Sequence, residues 1–182
     1  MFGSVAVTEA ERAAPRPGDA VVSPADVVMD RGATFDATPE VLWPWLVQLG
    51  KNRSGWYLRR TVERFVPPGN RAIRVVDPQW QGLKVGDVVP DWGGKHETFE
   101  VLEIVPEHSI VYGSRRGRTD LTWTITLVPL DERRTRVFFR LRLAPIKRKW
   151  IANSVGDFFD ELTIAGMAAG LRERLAEAES AR

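Results

Sequence analysis

The 182-residue sequence contains no cysteine and only two histidines, His96 and His108. The absence of cysteine excludes disulfide bonds, thiolate zinc sites, iron–sulfur clusters and cysteine nucleophiles. Two histidines without metal-ligand spacing exclude a His-rich metal centre. We therefore expect neither a metal nor another cofactor.

Long apolar runs and an excess of one charge are also missing. No stretch approaches the ~20 apolar residues that a membrane-spanning helix needs, and residues 2–7 are too short for the apolar core of a signal peptide. We expect a cytoplasmic protein without stable membrane insertion.

Lysine and arginine number 26 against 24 aspartates and glutamates. A nucleic-acid-binding domain usually concentrates positive charge, so we expect no nucleic-acid partner.

The motifs of several enzyme classes are absent as well. The sequence has no G-x-S-x-G nucleophile elbow, no G-x-G-x-x-G opening a helix and no Walker loop. The only catalytic candidates are weak ones, His96 and Asp91, which flank a Gly-Gly turn. A histidine near a carboxylate can act as a general acid or base near neutral pH, whereas the alternative is a solvated loop histidine.

The pattern of the chain predicts one domain of α+β class. Residues 1–19 resemble a partly flexible N-terminal arm, and residues 20–182 form a domain of ordinary size. A strand is expected at 27–35, and a helix begins after Thr38 with Pro39 at its first position. Further strands are expected at 88–89, 97–105, 110–114, 120–128 and 136–143, and a long helix at 153–180.

The strand at 120–128 alternates most clearly. Leu121, Trp123, Ile125 and Leu127 share one face, and three threonines share the other. Clean alternation indicates an antiparallel sheet with one buried face and one wet face. Only the last helix is long enough to cover the buried face.

Three segments resemble the SRPBCC group, also called the START-like or polyketide cyclase/dehydrase superfamily. They are residues 37–50 (ATPEVLWPWLVQLG), Gly55-Trp56-Tyr57, and residues 83–90 (LKVGDVVP). The resemblance implies a helix-grip fold, in which a curved antiparallel sheet wraps a long C-terminal helix and leaves a cavity between them. Members of this group bind or convert lipids, sterols, polyketides and similar molecules, and others are interaction domains that include chaperone activators.

The seven tryptophans suit such a cavity, because so many large rings need a big core or a lined pocket. Gly166 and Gly170 lie on one face of the last helix, where they allow either close packing on the sheet or space for a ligand. The expected ligand-binding residues are Trp56, Tyr57, Trp80, Trp92, Phe99, Trp123, Phe139, Leu162, Gly166 and Gly170.

Three functions remain open at this point. The first is binding of a hydrophobic small molecule in a closed cavity of ~300–1,000 Å³. The second is a cyclase or dehydratase acting in that cavity, and the third is an interaction module that uses a basic sheet face. The basic runs at 115–118 and 147–149 are either solubilising or part of such a surface. Homodimerisation is a further hypothesis.

Overall fold

The computed structural model describes residues 5–92, 96–146 and 157–181, with the side chains of the last stretch described from residue 161. The helices are α1 (Glu9–Ala13), α2 (Pro39–Gln48), α3 (Arg60–Glu63) and α4 (Asp157–Ser180), with 3-10 turns at Pro68–Asn70 and Pro78–Trp80. The strands are β1 (Val27–Phe35), β2 (Val88–Pro90), β3 (Thr98–Val105), β4 (Ser109–Arg116), β5 (Thr119–Pro129) and β6 (Thr135–Ala144).

The six strands form one antiparallel sheet in the order β1-β6-β5-β4-β3-β2. Consecutive strands from β2 to β6 are neighbours, and β1 closes the order by pairing with β6. Helix α4 packs on the inner face, where Ile164, Met167 and Leu171 join Ile125 and Phe139 in one apolar core. The predicted α+β class and its long C-terminal helix are confirmed.

Helix α2 forms where the sequence predicts it. Pro39 occupies the first turn, and Leu42, Trp45 and Leu46 are buried on its inner side. Thr38 has the extended backbone of a cap residue, but its side chain makes no capping hydrogen bond to the helix backbone. The helix start therefore depends on proline and apolar packing more than on a hydroxyl cap.

The outer face of the sheet is covered over β5 and β6, which corrects the prediction of a wet face there. Thr122, Thr124 and Thr126 are each at most 4% exposed. Residues 5–26 run across this face: the Thr124 hydroxyl donates to the Pro17 carbonyl at 3.1 Å, and the amide of Gly32 donates to the Val5 carbonyl at 2.9 Å. A strand pattern cannot reveal cover that comes from a distant, irregular segment.

The basic side chains of β6 are bound within this cover. Arg140 is 4% exposed and pairs with Asp30 at 2.7 Å and with Asp19 at 2.8 Å. Arg136 pairs with Glu11 on α1 at 3.0 Å. Arg136 and Arg140 thus fasten the N-terminal segment to the sheet.

Candidate functional site

A cavity of about 200 Å³, partly open to solvent, lies between the inner face of the sheet and α4. Thr163 and Ile164 contribute the α4 side, and Leu121, Trp123 and Leu141 contribute the floor from β5 and β6. The lining is mainly apolar. The cavity is smaller and more open than the closed one that the sequence suggests.

Five ring side chains of the lining contact one another in a cluster, which we call the aromatic wall. They are Trp56, Trp92, Phe99, Tyr112 and Trp123. Trp123 is central: its ring centroid lies 5.5 Å from that of Tyr112 in a stacked arrangement and 6.0 Å from that of Phe99. The rings of Trp56 and Trp92 meet at an angle of 75° with their centroids 5.6 Å apart, and the half-exposed Trp92 extends the wall to the solvent-open side of the cavity. Such offset and edge contacts stabilise an aromatic cluster.

The loop after α2 brings Trp56 to the cavity. Gly50 and Gly55 form an isolated antiparallel bridge, so the chain reverses between them. Gly50 has a φ of +147°, and a Cβ there would lie 2.9 Å from Val89, so this position requires glycine. The indole N–H of Trp56 then donates to the Thr163 carbonyl at 3.3 Å, which ties the loop to α4.

One ion pair lies at the polar edge of the cavity. Asp91 and Arg116 both line it and form a salt bridge, and Asp91 also accepts a hydrogen bond from the Trp92 amide at 2.7 Å. The guanidinium of Arg116 lies 5.4 Å from the centroid of the Phe99 ring, and its Nε lies 3.6 Å from Glu97. The carboxylate of Asp91 is therefore already engaged, mainly with a permanent cation.

Tyr112 and Arg116 are cavity residues that the sequence reasoning missed. The β4–β5 register places Tyr112 opposite Trp123, and both side chains lie on the inner face. The alternation of Ile110 and Tyr112 in the predicted strand was the signal that could have found Tyr112. Arg116 falls in a basic run that indicated only a surface patch.

The predicted ligand-binding residues divide into two groups. Four of them line the cavity: Trp56, Trp92, Phe99 and Trp123. The other six lie outside its lining: Tyr57, Trp80, Phe139, Leu162, Gly166 and Gly170.

Tyr57 and Trp80 have other surroundings. Tyr57 is completely buried; its hydroxyl donates to the Trp45 carbonyl at 2.8 Å and accepts from Gln48 at 3.0 Å. Burial raises the pKa of Tyr57 to about 12, so the group stays neutral. Trp80 stacks with Arg53, whose guanidinium lies 5.0 Å from the ring centroid. Both side chains therefore hold loops in place.

The remaining four residues also lie away from the cavity lining. Phe139 is buried behind Trp123, with the ring centroids 6.4 Å apart, and Leu162 is 49% exposed. Gly170 packs against the backbone of Leu58, where a Cβ would lie 2.5 Å from the Leu58 nitrogen, and Gly166 faces the Leu58 side chain. The small-residue face of α4 serves close packing, but against the 56–59 segment and not against the sheet.

The structure does not bring the two catalytic candidates together in the lining. Asp91 lines the cavity, whereas His96 is exposed and lies outside it. The Gly93-Gly94 turn and the 147–149 basic run lie outside the described residues. Within the described ranges, no three His, Asp or Glu side chains form a set that could hold a metal ion. None of the described helices has the length and apolar character needed to cross a bilayer.

Comparison with known proteins supports the fold through structure alone. No family model and no curated protein matches the sequence. A crystal structure of an HSP90 activator from Plasmodium falciparum is 18% identical, with a TM-score of 0.53 over 82% of this chain and 96% of that chain. A Rhodobacter sphaeroides protein is 15% identical, with a TM-score of 0.53 over 86% of this chain and 96% of that one.

The chain has a helix-grip fold, in which a curved antiparallel sheet packs against a long C-terminal helix. A Mycobacterium smegmatis protein agrees with this, at 16% identity and a TM-score of 0.51 over 84% of this chain and 93% of that chain. In this helix-grip chain the cavity lies between the sheet and α4. At these identities the likeness concerns the fold, and function has to be argued from the site.

Proposed function

We propose that this protein binds a small hydrophobic molecule in the cavity between the sheet and α4. The observation that carries the proposal is the aromatic wall, which lines an unfilled and mainly apolar space. Pockets for small molecules are concave and mostly apolar, with a few polar groups that orient the ligand. The Asp91–Arg116 pair at the edge of the cavity suits that orienting role.

Trp92 supports binding at the cavity mouth. Its ring is 49% exposed although it contacts Trp56 and lines the cavity. Burying apolar surface yields ~25 cal/mol per Å² removed from water. A ligand that covers this ring therefore gains affinity from surface that the protein leaves exposed.

Catalysis has less support than binding. A cyclase or dehydratase needs two polar groups that converge on one reacting atom. Asp91 is engaged by Arg116, and His96 lies outside the lining. The enzyme hypothesis is therefore the weaker of the two.

The third hypothesis, an interaction module with a basic sheet face, also loses support. Arg136 and Arg140 are paired with acidic residues beneath the N-terminal segment and do not form an open patch. The likeness to an HSP90 activator is at 18% identity and concerns the fold. Homodimerisation stays a prediction, which light scattering of the purified protein would decide.

Calorimetric titration with indane, a small apolar two-ring hydrocarbon, tests the proposed function. We expect saturable binding to the wild-type protein. The Trp92→Ala variant should bind indane roughly five- to tenfold more weakly, because it loses a ring from the aromatic wall.

Trp80→Ala is the matched control, since Trp80 is a half-buried tryptophan outside the cavity lining. Its indane affinity should stay within about twofold of wild type. Absence of indane binding to the wild-type protein, or equal losses in the two variants, would contradict binding in this cavity. Native mass spectrometry of gently purified protein would then identify any ligand that co-purifies.

A further inference from the structure

The two tyrosines of this chain are both buried, but their hydroxyl groups differ in hydrogen bonding. The Tyr57 hydroxyl has three partners: the Trp45 carbonyl, the Gln48 amide and the Ser54 hydroxyl. The Tyr112 side chain is 3% exposed, and among the described residues its hydroxyl has no hydrogen-bond partner. The hydroxyl oxygen is not among the unpaired side-chain atoms that are sealed from solvent, so it faces space that another molecule can reach.

Tyr112 is part of the cavity lining. Its ring stacks on Trp123, with an angle of 23° between the ring planes, and the side chain lines the cavity. Burial raises the pKa of the Tyr112 hydroxyl well above its ordinary value, so the group keeps its proton at neutral pH. A neutral phenol offers an O–H donor inside an apolar space.

Several other polar groups of the lining already have partners. The Asp91 carboxylate pairs with Arg116 and accepts the Trp92 amide. The Thr163 carbonyl accepts the Trp56 indole N–H. Arg116 Nε has no hydrogen-bond partner either, but it lies 3.6 Å from the Glu97 carboxylate. The Tyr112 hydroxyl is therefore the neutral donor of the lining that an incoming ligand can pair with without breaking an existing hydrogen bond.

We propose that the ligand is a small planar aromatic compound carrying an acceptor oxygen, and that the Tyr112 hydroxyl donates a hydrogen bond to that oxygen. This inference rests on the proposed function and specifies its ligand class. The stacked rings of Tyr112 and Trp123 favour a flat partner. The cavity volume of about 200 Å³ is below the ~300–1,000 Å³ of drug-sized sites, which favours one or two rings over an acyl-chain lipid.

A pair of probes with the same two-ring skeleton tests this inference. Indane has no polar atom, and 1-indanone adds one carbonyl acceptor. Calorimetry should measure both dissociation constants for the wild type and for Tyr112→Phe, which removes only the hydroxyl oxygen. We expect the variant to bind 1-indanone about three- to tenfold more weakly, with its indane affinity changed less than about twofold.

Tyr57→Phe is the matched control, since it removes the other buried tyrosine hydroxyl away from the cavity lining. It should change the two dissociation constants by the same factor. Equal effects of Tyr112→Phe on the two probes, or no effect on either, would overturn the role of Tyr112 while leaving the proposed function intact. Failure of both probes to bind the wild type would overturn the two proposals together.

Discussion

The residue type that a position in α4 can hold depends on the segment that packs against it. Gly170 lies against the Leu58 backbone, where a Cβ would come within 2.6 Å of three backbone atoms. At Gly166, four residues earlier, the nearest atom to a Cβ would be the Leu58 Cδ2 at 3.4 Å, an ordinary contact distance. Two glycines about one helical turn apart thus differ in the space available for a side chain.

Substitution at the two glycines should therefore have opposite effects. Gly170→Ala should lower the free energy of unfolding by roughly 1–3 kcal/mol, because the backbone of Leu58 cannot move aside cheaply. Gly166→Ala should be neutral or stabilising by up to about 1 kcal/mol, since alanine favours the helix. Urea unfolding of both variants measures the difference, and equal effects would show that the Leu58 contact is not limiting.

At the scale of elements, ion pairs join α4 to the segment between α3 and β2. Arg174 of α4 is fully buried and donates to Glu63 of α3 and to the Leu58 carbonyl. Arg74 holds Glu177 through two hydrogen bonds, at 2.8 and 2.9 Å. Leu58 comes two residues after Trp56, which lines the cavity. The Arg174 contacts therefore help to fix the Trp56 side of the cavity.

This network makes stability depend on pH. Hydrogen bonds from Arg74 and Arg60 lower the pKa of Glu177 from 4.5 to about 2. A carboxylate with a lowered folded-state pKa stabilises the protein above its unfolded pKa, and that contribution is lost as the pH falls through the folded pKa.

Glu177→Gln should therefore melt at a lower temperature than wild type at pH ~7. The difference between the two melting temperatures should become smaller as the pH falls from ~5 to ~2. Thermal unfolding followed by circular dichroism at several pH values measures this. Glu179→Gln, an exposed neighbour on the same helix, is the control and should follow wild type at every pH. If the melting temperatures of Glu177→Gln and wild type differ by the same amount at every pH, the charge of Glu177 does not have the role assigned to it.

At the scale of the whole molecule, the N-terminal segment acts as a cover for the outer sheet face. Asp19 accepts from Arg140 at 2.8 Å and from the Arg16 amide at 2.9 Å, so it fastens the segment at one point. The exposed residue Arg12 is held nearby, because its carbonyl accepts from Arg140 at 2.7 Å. Opening of the segment would expose the peptide bond after Arg12 to proteases.

Asp19→Asn should accelerate trypsin cleavage after Arg12 roughly tenfold, since losing one charge-assisted hydrogen bond raises the open population by about that factor. Mass spectrometry of timed digests measures the rate. Asp131→Asn, which removes a charge from an exposed turn, is the control and should leave the rate unchanged. If both variants are cleaved at the wild-type rate, Asp19 does not hold the segment closed.

Periodicity in the sequence was enough to determine the elements and one face of the sheet. The alternation in β5 places Trp123 on the inner face, and the apolar stripe of α2 buries Trp45 and Leu46, as observed. These features depend on neighbours within one element, whose geometry repeats along the chain. Local pattern therefore predicted most of the fold, and it placed Trp123 of the aromatic wall on the inner face.

The tertiary structure alone decided which rings share the cavity and what covers the other face. Trp56 and Tyr57 are adjacent in sequence, yet Trp56 lines the cavity and Tyr57 is sealed in the core. Tyr112 meets Trp123 through the β4–β5 register, and Arg140 meets Asp19 through an irregular segment. Such pairings join residues of different elements, so they depend on strand register and loop packing that no local period encodes.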